Sequence, residues 1–134
     1  MKEKTRIVAI IIQNNSILFV KGSDKYKELW SPGGKPENNE TDIECLKREL
    51  HEELSVKLVS AKFFKEYIVQ SPYATDVMTK SRAYLVDISG KPTPGKEIQS
   101  FVWITKKEYE QKKYSLLNVE QNKIIPDLIK SGYF

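Results

Sequence analysis

The pattern of apolar and polar positions along the chain predicts strands alternating with helices. Apolar runs at Arg6–Ile12 and Ile17–Val20 flank Asn14 and Asn15, a pair that favours a tight turn, so this stretch predicts a β-hairpin. Three later segments are rich in β-branched and aromatic residues and predict further strands: Lys57–Gln70 as one strand or two, Arg82–Ile88, and Ile98–Ile104.

A central helix is predicted between the hairpin and the later strands. Thr41 is its expected N-cap, because Glu44 three residues later completes the pattern of a capping box. Its buried face is a stripe of four apolar residues at helical spacing: Ile43, Leu46, Leu50 and Leu54.

The last part of the chain predicts two more helices. Thr105 is the expected N-cap of a helix over Lys106–Lys112, and Asn118–Lys130 predicts a terminal helix in which Pro126 interrupts the regular hydrogen bonding. Turn-forming residues predict three loops: the stretch with Trp30, Pro32, Gly33 and Gly34, then Ser71–Thr79, then Gly90–Gly95. This order fits an α/β or α+β domain of two or more layers.

Composition limits the class of protein. The chain has 134 residues, 40% of them hydrophobic and 30% charged, which predicts one globular domain over residues 1–134. Residues 7–12, the longest apolar run, are too few to span a bilayer, and the polar start lacks a signal-peptide pattern. We therefore expect a cytoplasmic protein without a membrane partner. The single cysteine, Cys45, is expected to be an inert thiol, because no second group orients a nucleophilic dyad with it.

Charge is unevenly distributed along the chain. The formal net charge is +4, yet residues 37–53 hold seven acidic residues against two basic ones, which leaves twenty basic and eleven acidic residues elsewhere. A basic body around an acidic pocket suits a metal-bridged polyphosphate substrate, although it equally suits a general role in solubility. The lysines are scattered and form no long basic block, so a nucleic-acid partner is not expected.

Three carboxylates, Glu49, Glu52 and Glu53, gather on one side of the central helix. Repulsion between such neighbours costs roughly a few tenths of a kcal/mol per pair. A hard divalent cation that prefers oxygen ligands, such as Mg²⁺, would offset this repulsion. For an isolated cluster of this kind, a solvated acidic face is the simpler explanation, so the surrounding residues decide between the two.

The surrounding residues follow a longer pattern. Eight positions are in register with glycine, five residues, Glu, seven residues, then Arg-Glu-aliphatic-x-Glu-Glu-x-Gly-aliphatic: Gly34, Glu40, Arg48, Glu49, Leu50, Glu52, Glu53 and Val56. Residues 34–56 therefore resemble the Nudix box, and a chance match to so many specified positions is improbable. Ser55 stands where the family has a glycine that suits a left-handed helix cap, so either the helix ends differently here or it carries a cost of about 1 kcal/mol.

The resemblance implies a fold and a metal site. Nudix domains are α/β/α sandwiches with a mixed sheet. The resemblance implies Mg²⁺ or Mn²⁺ held by Glu49, Glu52 and Glu53, with Gly34 among the metal-site residues. Glu97 precedes the Trp-containing strand and matches, by a looser pattern, the place of an additional metal ligand or water-activating base.

Further residues in and beside the box have physical roles. Gly33 and Gly34 permit positive φ angles and close backbone approach before the helix. Glu40 lies at the loop end, where it can reach back toward the helical carboxylates. In the family the arginine orients a glutamate of the box, so Arg48 joins the predicted catalytic set as a supporting residue.

The family hydrolyses nucleoside diphosphates linked to another moiety, and the short chain with its simple box resembles the MutT-type nucleoside triphosphate pyrophosphohydrolases. Dinucleoside polyphosphates, nucleotide sugars and capped RNA stay open as substrates. The candidate substrate contacts are Trp30, Lys35 and Tyr73. Tyr67 and Tyr84 also have faces that could stack on a base, although core packing is the simpler role for these aromatics.

Two alternatives concern function and assembly. A Nudix-like module that binds a nucleotide without cleaving it is the alternative of another class. Such a module would be expected to lose box carboxylates, and this chain retains them. A homodimer is also considered as an assembly state.

Overall fold

The computed structural model describes residues 2–71 and 73–134. Met1 lies outside the described residues, and so does Pro72 of the predicted Ser71–Thr79 loop. The strands are β1 (Lys2–Ile10), β2 (Ile12–Gln13), β3 (Ser16–Lys21), β4 (Gly33–Gly34), β5 (Lys57–Gln70), β6 (Val77–Ser89) and β7 (Ser100–Thr105). The helices are α1 (Asp42–Leu54), α2 (Lys106–Glu110) and α3 (Ile125–Lys130), with a π-helical turn over Glu120–Ile124 before α3.

The strands form two sheets. One has the order β4-β1-β6-β5 and is mixed, because β1 runs parallel to β6 but antiparallel to β4. The other has the order β2-β3-β7 and is antiparallel. The predicted hairpin is confirmed, since Asn14 and Asn15 both take positive φ angles between β2 and β3.

The last four residues of β1 are all buried. Because successive side chains of a strand point to opposite sides, β1 is buried on both of its faces there. Ile7 and Ala9 belong to one core cluster with Leu50 of α1. Val8 belongs to a second cluster with Leu128 of α3. The helices therefore cover opposite faces of the strands, which confirms the predicted α/β/α sandwich.

Helix α1 begins where the sequence predicts. The Thr41 hydroxyl accepts a hydrogen bond from the Glu44 N–H at 3.2 Å, and the Glu44 carboxylate accepts one from the Thr41 N–H at 2.9 Å, so the capping box is confirmed. The buried face consists of Cys45, Leu46, Leu50 and Leu54. Ile43 was wrongly placed in this stripe, because it is 37% exposed in the first turn.

Helix α1 ends in a left-handed cap at Ser55, with φ 55° and ψ 35°. The Ser55 N–H donates to the His51 carbonyl at 3.1 Å, and the Val56 N–H donates to the Leu50 carbonyl at 3.4 Å. The helix therefore ends in the geometry that favours glycine, so of the two expectations the different helix end is wrong and the serine occupies a strained position.

The terminal helix is continuous over residues 118–130 but changes its hydrogen bonding near Pro126, as predicted. The Ile125 N–H donates to the Glu120 carbonyl five residues earlier, as in a π-helix. Pro126 has no N–H, so the regular ladder cannot continue through it.

Several predicted bounds were wrong by a few residues. β1 starts at Lys2 and β6 starts at Val77, because these two strands pair along their whole polar beginnings. Lys57–Gln70 is one strand, β5, with irregular register at two points along β6. The last strand begins at Ser100, since residues 95–98 form a turn, and Gly33 and Gly34 form a short strand within the expected loop.

Within residues 2–71 and 73–134, no helix combines the length and the apolar character that crossing a bilayer requires.

Candidate functional site

Gly33 and Gly34 bring the backbone of β4 close to helix α1. Gly33 has φ 136°, and a Cβ atom there would lie 2.0 Å from the Ile7 carbonyl oxygen. A Cβ atom on Gly34 would lie 2.6 Å from the carboxyl carbon of Glu49. The position of Gly33 therefore requires glycine because the backbone of β1 blocks a side chain, whereas a side chain at Gly34 would displace the Glu49 carboxylate.

Glu53 is the most deeply buried carboxylate of the box. Its Oε1 accepts a hydrogen bond from the Gly33 N–H at 2.9 Å. Burial raises the pKa of Glu53 to about 7, and the nearby charges of Glu49 and Glu52 act in the same direction, while the Gly33 bond and Arg6 oppose it. A substantial fraction of Glu53 is therefore protonated near neutral pH when no cation is bound.

Arg48 is the centre of an ion-pair network. Its guanidinium donates to both oxygens of Glu40, at 2.7 and 2.9 Å, and to Glu49 Oε1 at 2.7 Å, with Glu52 at 3.4 Å. It also donates to the Lys35 carbonyl at 3.1 Å. Hydrogen bonding to Arg48 lowers the pKa of Glu40 to about 2, whereas burial raises the pKa of Glu49. Arg48 thus joins the loop before the helix to the helical carboxylates.

Glu97 is brought to the same place by a turn that is fixed to the end of α1. The Gly95 N–H donates to the Glu53 carbonyl at 2.8 Å, and the Lys96 N–H donates to the Glu52 carbonyl at 2.9 Å. A Cβ atom on Gly95 would lie 2.1 Å from the Glu52 carbonyl oxygen, so the contact requires glycine. Glu97 itself has φ 64°, a left-handed conformation.

A small cavity of about 160 Å³ collects these carboxylates. It is lined by Trp30, Glu49, Glu52, Glu53, Lys96, Glu97 and Ile98. The predicted catalytic glutamates therefore lie around one space, and we name it the carboxylate cavity.

A larger cavity of about 980 Å³ adjoins it and shares Trp30 and Glu97 with it. We name it the large cavity. The predicted substrate contacts Trp30, Lys35 and Tyr73 all line it, as does Gly34. Its size is at the upper end of the range for small-molecule sites.

Some residues of the large cavity were missed by sequence reasoning: Arg6, Tyr26 and Glu120. Tyr26 lies between the other two aromatic side chains, with ring centroids 5.2 Å from Trp30 and 5.6 Å from Tyr73. Glu120 did carry a signal, because it shares the i+4 spacing of buried Leu116 and Ile124 and so falls on the apolar face of the terminal helix.

Tyr67 and Tyr84 have structural roles. The Tyr67 side chain is buried and its hydroxyl donates to Asp127 at 2.7 Å. The Tyr84 hydroxyl donates to Asp42 at the start of α1. Neither is among the residues that line the two cavities, which agrees with the simpler role in packing.

The donor set fits a hard divalent cation in its chemistry, since it consists of carboxylate oxygens. Considering residues 2–71 and 73–134, no three carboxylate, imidazole or thiol groups lie close enough together to hold one ion as they stand. Glu49 and Glu52 are turned toward Arg48, and Glu53 is held by Gly33. Joint binding of an ion by these groups would therefore require side-chain rotation.

A sandwich fold whose central helix presents carboxylates around a cavity, with a glycine strand packed beside them, is the organisation of a Nudix domain. A family model described as NUDIX domain matches residues 3–128, and the chain belongs to this family.

Curated relatives are similar over part of the chain. One is an 8-oxo-dGTP diphosphatase of Buchnera aphidicola subsp. Schizaphis graminum (strain Sg), 40% identical over 68 residues, which are 48% of this chain and 52% of that protein. Another is an 8-oxo-dGTP diphosphatase of Haemophilus influenzae (strain ATCC 51907 / DSM 11121 / KW20 / Rd), 31% identical over 85 residues, or 63% and 60% of the two chains. The matched parts thus span between about half and three fifths of these relatives.

A solved structure extends the likeness to the whole fold. The solution structure of the E. coli ORF135 protein superimposes with a TM-score of 0.77 at 24% identity, covering 98% of this chain and 94% of that one. At this identity the likeness supports the fold alone.

Proposed function

We propose that this protein is a hydrolase of the Nudix family that cleaves a diphosphate linkage in a nucleoside diphosphate linked to another moiety. The observation that carries the proposal is the junction of the two cavities. Four carboxylates surround the smaller space, while an aromatic-walled space of nucleotide size opens beside it and shares Trp30 and Glu97.

The divalent cation is assigned to Glu49, Glu52 and Glu53, with Glu97 assisting and Gly34 adjacent. When bound, Mg²⁺ or Mn²⁺ would neutralise phosphate charge and lower the pKa of a coordinated water. The carboxylates alone would repel a polyphosphate, so the proposal requires the cation. The likeness to Nudix domains supports a divalent metal in general, and the choice between Mg²⁺ and Mn²⁺ is part of the proposal.

The protein groups have separate tasks in this proposal. Arg48 fixes Glu49 and links it to Glu40 through charge-assisted hydrogen bonds. Whichever of Glu49, Glu52, Glu53 and Glu97 the cation leaves unbound takes the proton from the attacking water, and this base is not assigned to one glutamate. Water oxygen bonds to one phosphorus while the bridging oxygen leaves with the other phosphoryl group.

The substrate is placed with its base in the large cavity. Trp30 and Tyr73 offer aromatic faces for the base, and Lys35 offers a cation for the phosphates. Because relatives are 8-oxo-dGTP diphosphatases, a nucleoside triphosphate with an oxidised purine is our first candidate substrate. Dinucleoside polyphosphates and nucleotide sugars are the alternatives within the same chemistry.

The experiment is a hydrolysis panel with product identification. Wild type, Glu53→Gln and Glu110→Gln are compared on canonical and oxidised nucleoside triphosphates, a dinucleoside polyphosphate and a nucleotide sugar, with Mg²⁺, Mn²⁺ or EDTA. Glu110 is exposed and serves as the matched control. We expect metal-dependent turnover that Glu53→Gln lowers by at least about 100-fold and Glu110→Gln leaves unchanged. Equal turnover by wild type and Glu53→Gln would reject the assignment.

Ligand-dependent thermal stabilisation without any product would instead favour the nucleotide-binding module. A cytoplasmic location, a single-domain organisation and a homodimer stay predictions, and each has a direct measurement in cell fractionation, limited proteolysis and sedimentation.

A further inference from the structure

Arg6 is a partly buried cation that the proposed chemistry does not use. It is one of three arginines in the chain, and the other two, Arg48 and Arg82, donate to carboxylates. Arg6 forms no ion pair within the part of the chain that the structure describes, and its one hydrogen bond there goes to the Ser31 carbonyl. Its guanidinium therefore retains a charge and several N–H groups without a protein partner.

The face of β1 on which Arg6 lies follows from the alternation of side chains along a strand. Residues two apart lie on the same face, and Val8 packs in the core cluster that also contains Leu128 of α3. Arg6 therefore lies on the face that α3 covers, and both Arg6 and Lys4 line the large cavity there. Ser81, which is opposite Arg6 on β6, is buried and lines the same cavity.

Arg6 also lies beside the carboxylate cavity. The residue that follows it pairs with Gly34 of β4, and the next one pairs with Gly33, whose N–H donates to Glu53. Gly34 itself lines the large cavity. The positive charge of Arg6 is therefore held near the place where the two cavities adjoin.

The carboxylates in the electric field of Arg6 accept hydrogen bonds from other donors. Burial raises the pKa of three of them, and the charge of Arg6 opposes that rise in each: Glu49, Glu53 and Glu120. Their respective donors are Arg48, the Gly33 N–H and the Ser31 N–H. Glu120 keeps a free oxygen, Oε1, which has no hydrogen-bond partner within the described residues, so Arg6 does not pair with it either.

A partly buried cation without a counterion in the protein favours an anionic ligand, because buried charges are stable only when paired. A guanidinium fits a phosphoryl group well, since two of its N–H groups reach two oxygens at once. Lys4 and Lys35 line the same cavity, so an anion beside Arg6 meets further positive charge. The surroundings of Arg6 therefore suit a polyphosphate chain better than a neutral group.

We propose that Arg6 is a substrate-binding residue whose guanidinium donates to the oxygens of a phosphoryl group where the two cavities adjoin. This inference rests on the proposed function for the nucleotide nature of the ligand. It assigns to β1, a strand outside the Nudix box, the task of holding the phosphate chain between the base and the bond that breaks.

A purely structural role is the competing explanation. Arg6 supports Ser31, and its charge offsets the burial of acidic side chains, so its loss could shift the cavity wall without any contact to phosphate. The two roles differ in how they depend on the ligand. A shifted wall weakens binding of a nucleoside and of its triphosphate alike, whereas a lost phosphate contact weakens binding of the triphosphate alone.

The test measures binding without hydrolysis. Affinities for 2′-deoxyguanosine and its 5′-triphosphate are measured by calorimetry in EDTA for wild type, Arg6→Gln, Arg6→Lys and Arg82→Gln. Arg82 is the matched control, because it is also partly buried but pairs with Asp42 and lines neither cavity. We expect Arg6→Gln to lower the ratio of triphosphate to nucleoside affinity by at least about 10-fold, Arg6→Lys to lower it less, and Arg82→Gln to leave it unchanged.

The outcomes are distinguishable. An unchanged ratio in Arg6→Gln overturns the proposal, and so does an equal loss of affinity for both ligands or the same fall in Arg82→Gln. Should Arg6→Gln fail to fold, Arg6→Lys carries the test, because it must lower the ratio while the nucleoside affinity stays unchanged. A lowered ratio without any hydrolysis would reject the proposed function yet keep this inference, whereas metal-dependent hydrolysis with an unchanged ratio would do the reverse.

Discussion

The acidic side chains at the two ends of helix α1 lie in opposite electrostatic surroundings. At the N-terminal end, Asp42 is paired with Arg82 at 2.6 Å and also accepts from the Tyr84 hydroxyl, and Thr41 and Glu44 cap each other. Each of these acidic groups has a partner, and each lies where the helix dipole favours negative charge.

The C-terminal end reverses this arrangement. Glu49 and Glu52 share Arg48 as their neighbouring cation, whereas Glu53 accepts a hydrogen bond from the Gly33 N–H. Glu52 and Glu53 lie where the dipole is unfavourable to carboxylates. Burial shifts Glu53 toward its protonated form, and Ser55 closes the helix in a strained conformation. The comparison shows that one end is arranged for stability, while the other retains uncompensated charge that a divalent cation would neutralise.

The largest expected effect is a difference in hydrolysis rate between variants of the two arginines, Arg48 and Arg82. Arg48→Gln should lower metal-dependent hydrolysis by roughly 10- to 100-fold, because Glu40 and Glu49 lose the group that orients them. Arg82→Gln at the other end should leave turnover within about 3-fold, since Arg82 contacts Asp42 and not the carboxylate cavity. Initial hydrolysis rates of both variants are measured over a range of Mg²⁺ concentrations. Equal losses of turnover in the two variants would contradict the proposed difference between the two ends of the helix.

Removal of the buried charge should make the C-terminal end more stable. In EDTA at pH 8, Glu53→Gln should raise the free energy of unfolding by about 2 kcal/mol, because the amide keeps the bond from Gly33 without a buried charge. The folded pKa is about 7 and the ordinary value is 4.5, so wild-type stability falls as the pH rises between these values. The gain should disappear below about pH 4.5 in urea titrations. A variant that is less stable than wild type at pH 8 would contradict this account.

At the N-terminal end, removal of a charge is expected to change the free energy of unfolding in the opposite direction. Asp42→Asn should lower the free energy of unfolding at pH 7 by about 1–2 kcal/mol, because Arg82 loses a charged partner. The bond from Arg82 lowers the pKa of Asp42 below 3.8, so its contribution is present above that pH and is lost as the pH falls further. Urea unfolding at pH 7 and pH 3, with Glu110→Gln as a control, checks the expected convergence at low pH.

The smallest effect concerns the helix cap. Ser55→Gly should raise the free energy of unfolding by about 1 kcal/mol, since φ 55° strains a residue with a Cβ atom. Ser55→Ala keeps the Cβ atom and should show no gain. Hydrolysis should be unchanged in both variants, because Ser55 does not line either cavity. Chemical unfolding curves of the three proteins provide the measurement.

Elements set by local contacts were well predicted. Thr41 and Glu44 lie three residues apart, so the start of α1 follows from sequence alone. Pro126 disturbs the terminal helix because its ring lacks an N–H in any context. The left-handed residues Asn14 and Asn15 form the predicted hairpin turn for the same local reason.

Elements set by distant partners were predicted less well. The polar residues at the start of β1 look like a loop, yet β6 supplies them with backbone hydrogen bonds from Lys2 onward. Tyr26 and Glu120 belong to no sequence motif, so their position beside Trp30 in the large cavity could not be predicted. Propensity and periodicity do not describe contacts across the fold.

The sequence by itself determined the Nudix box and the helix that carries it, because the spacing of glycine, arginine and glutamates along one helix is a local property. Tertiary structure decided what surrounds that helix. The turn at Gly95 brings Glu97 to the carboxylates, and the terminal helix brings the free oxygen of Glu120 to the neighbouring cavity. The carboxylates of the box lie on one continuous segment, whereas the residues that line the large cavity come from separate segments that only folding brings together.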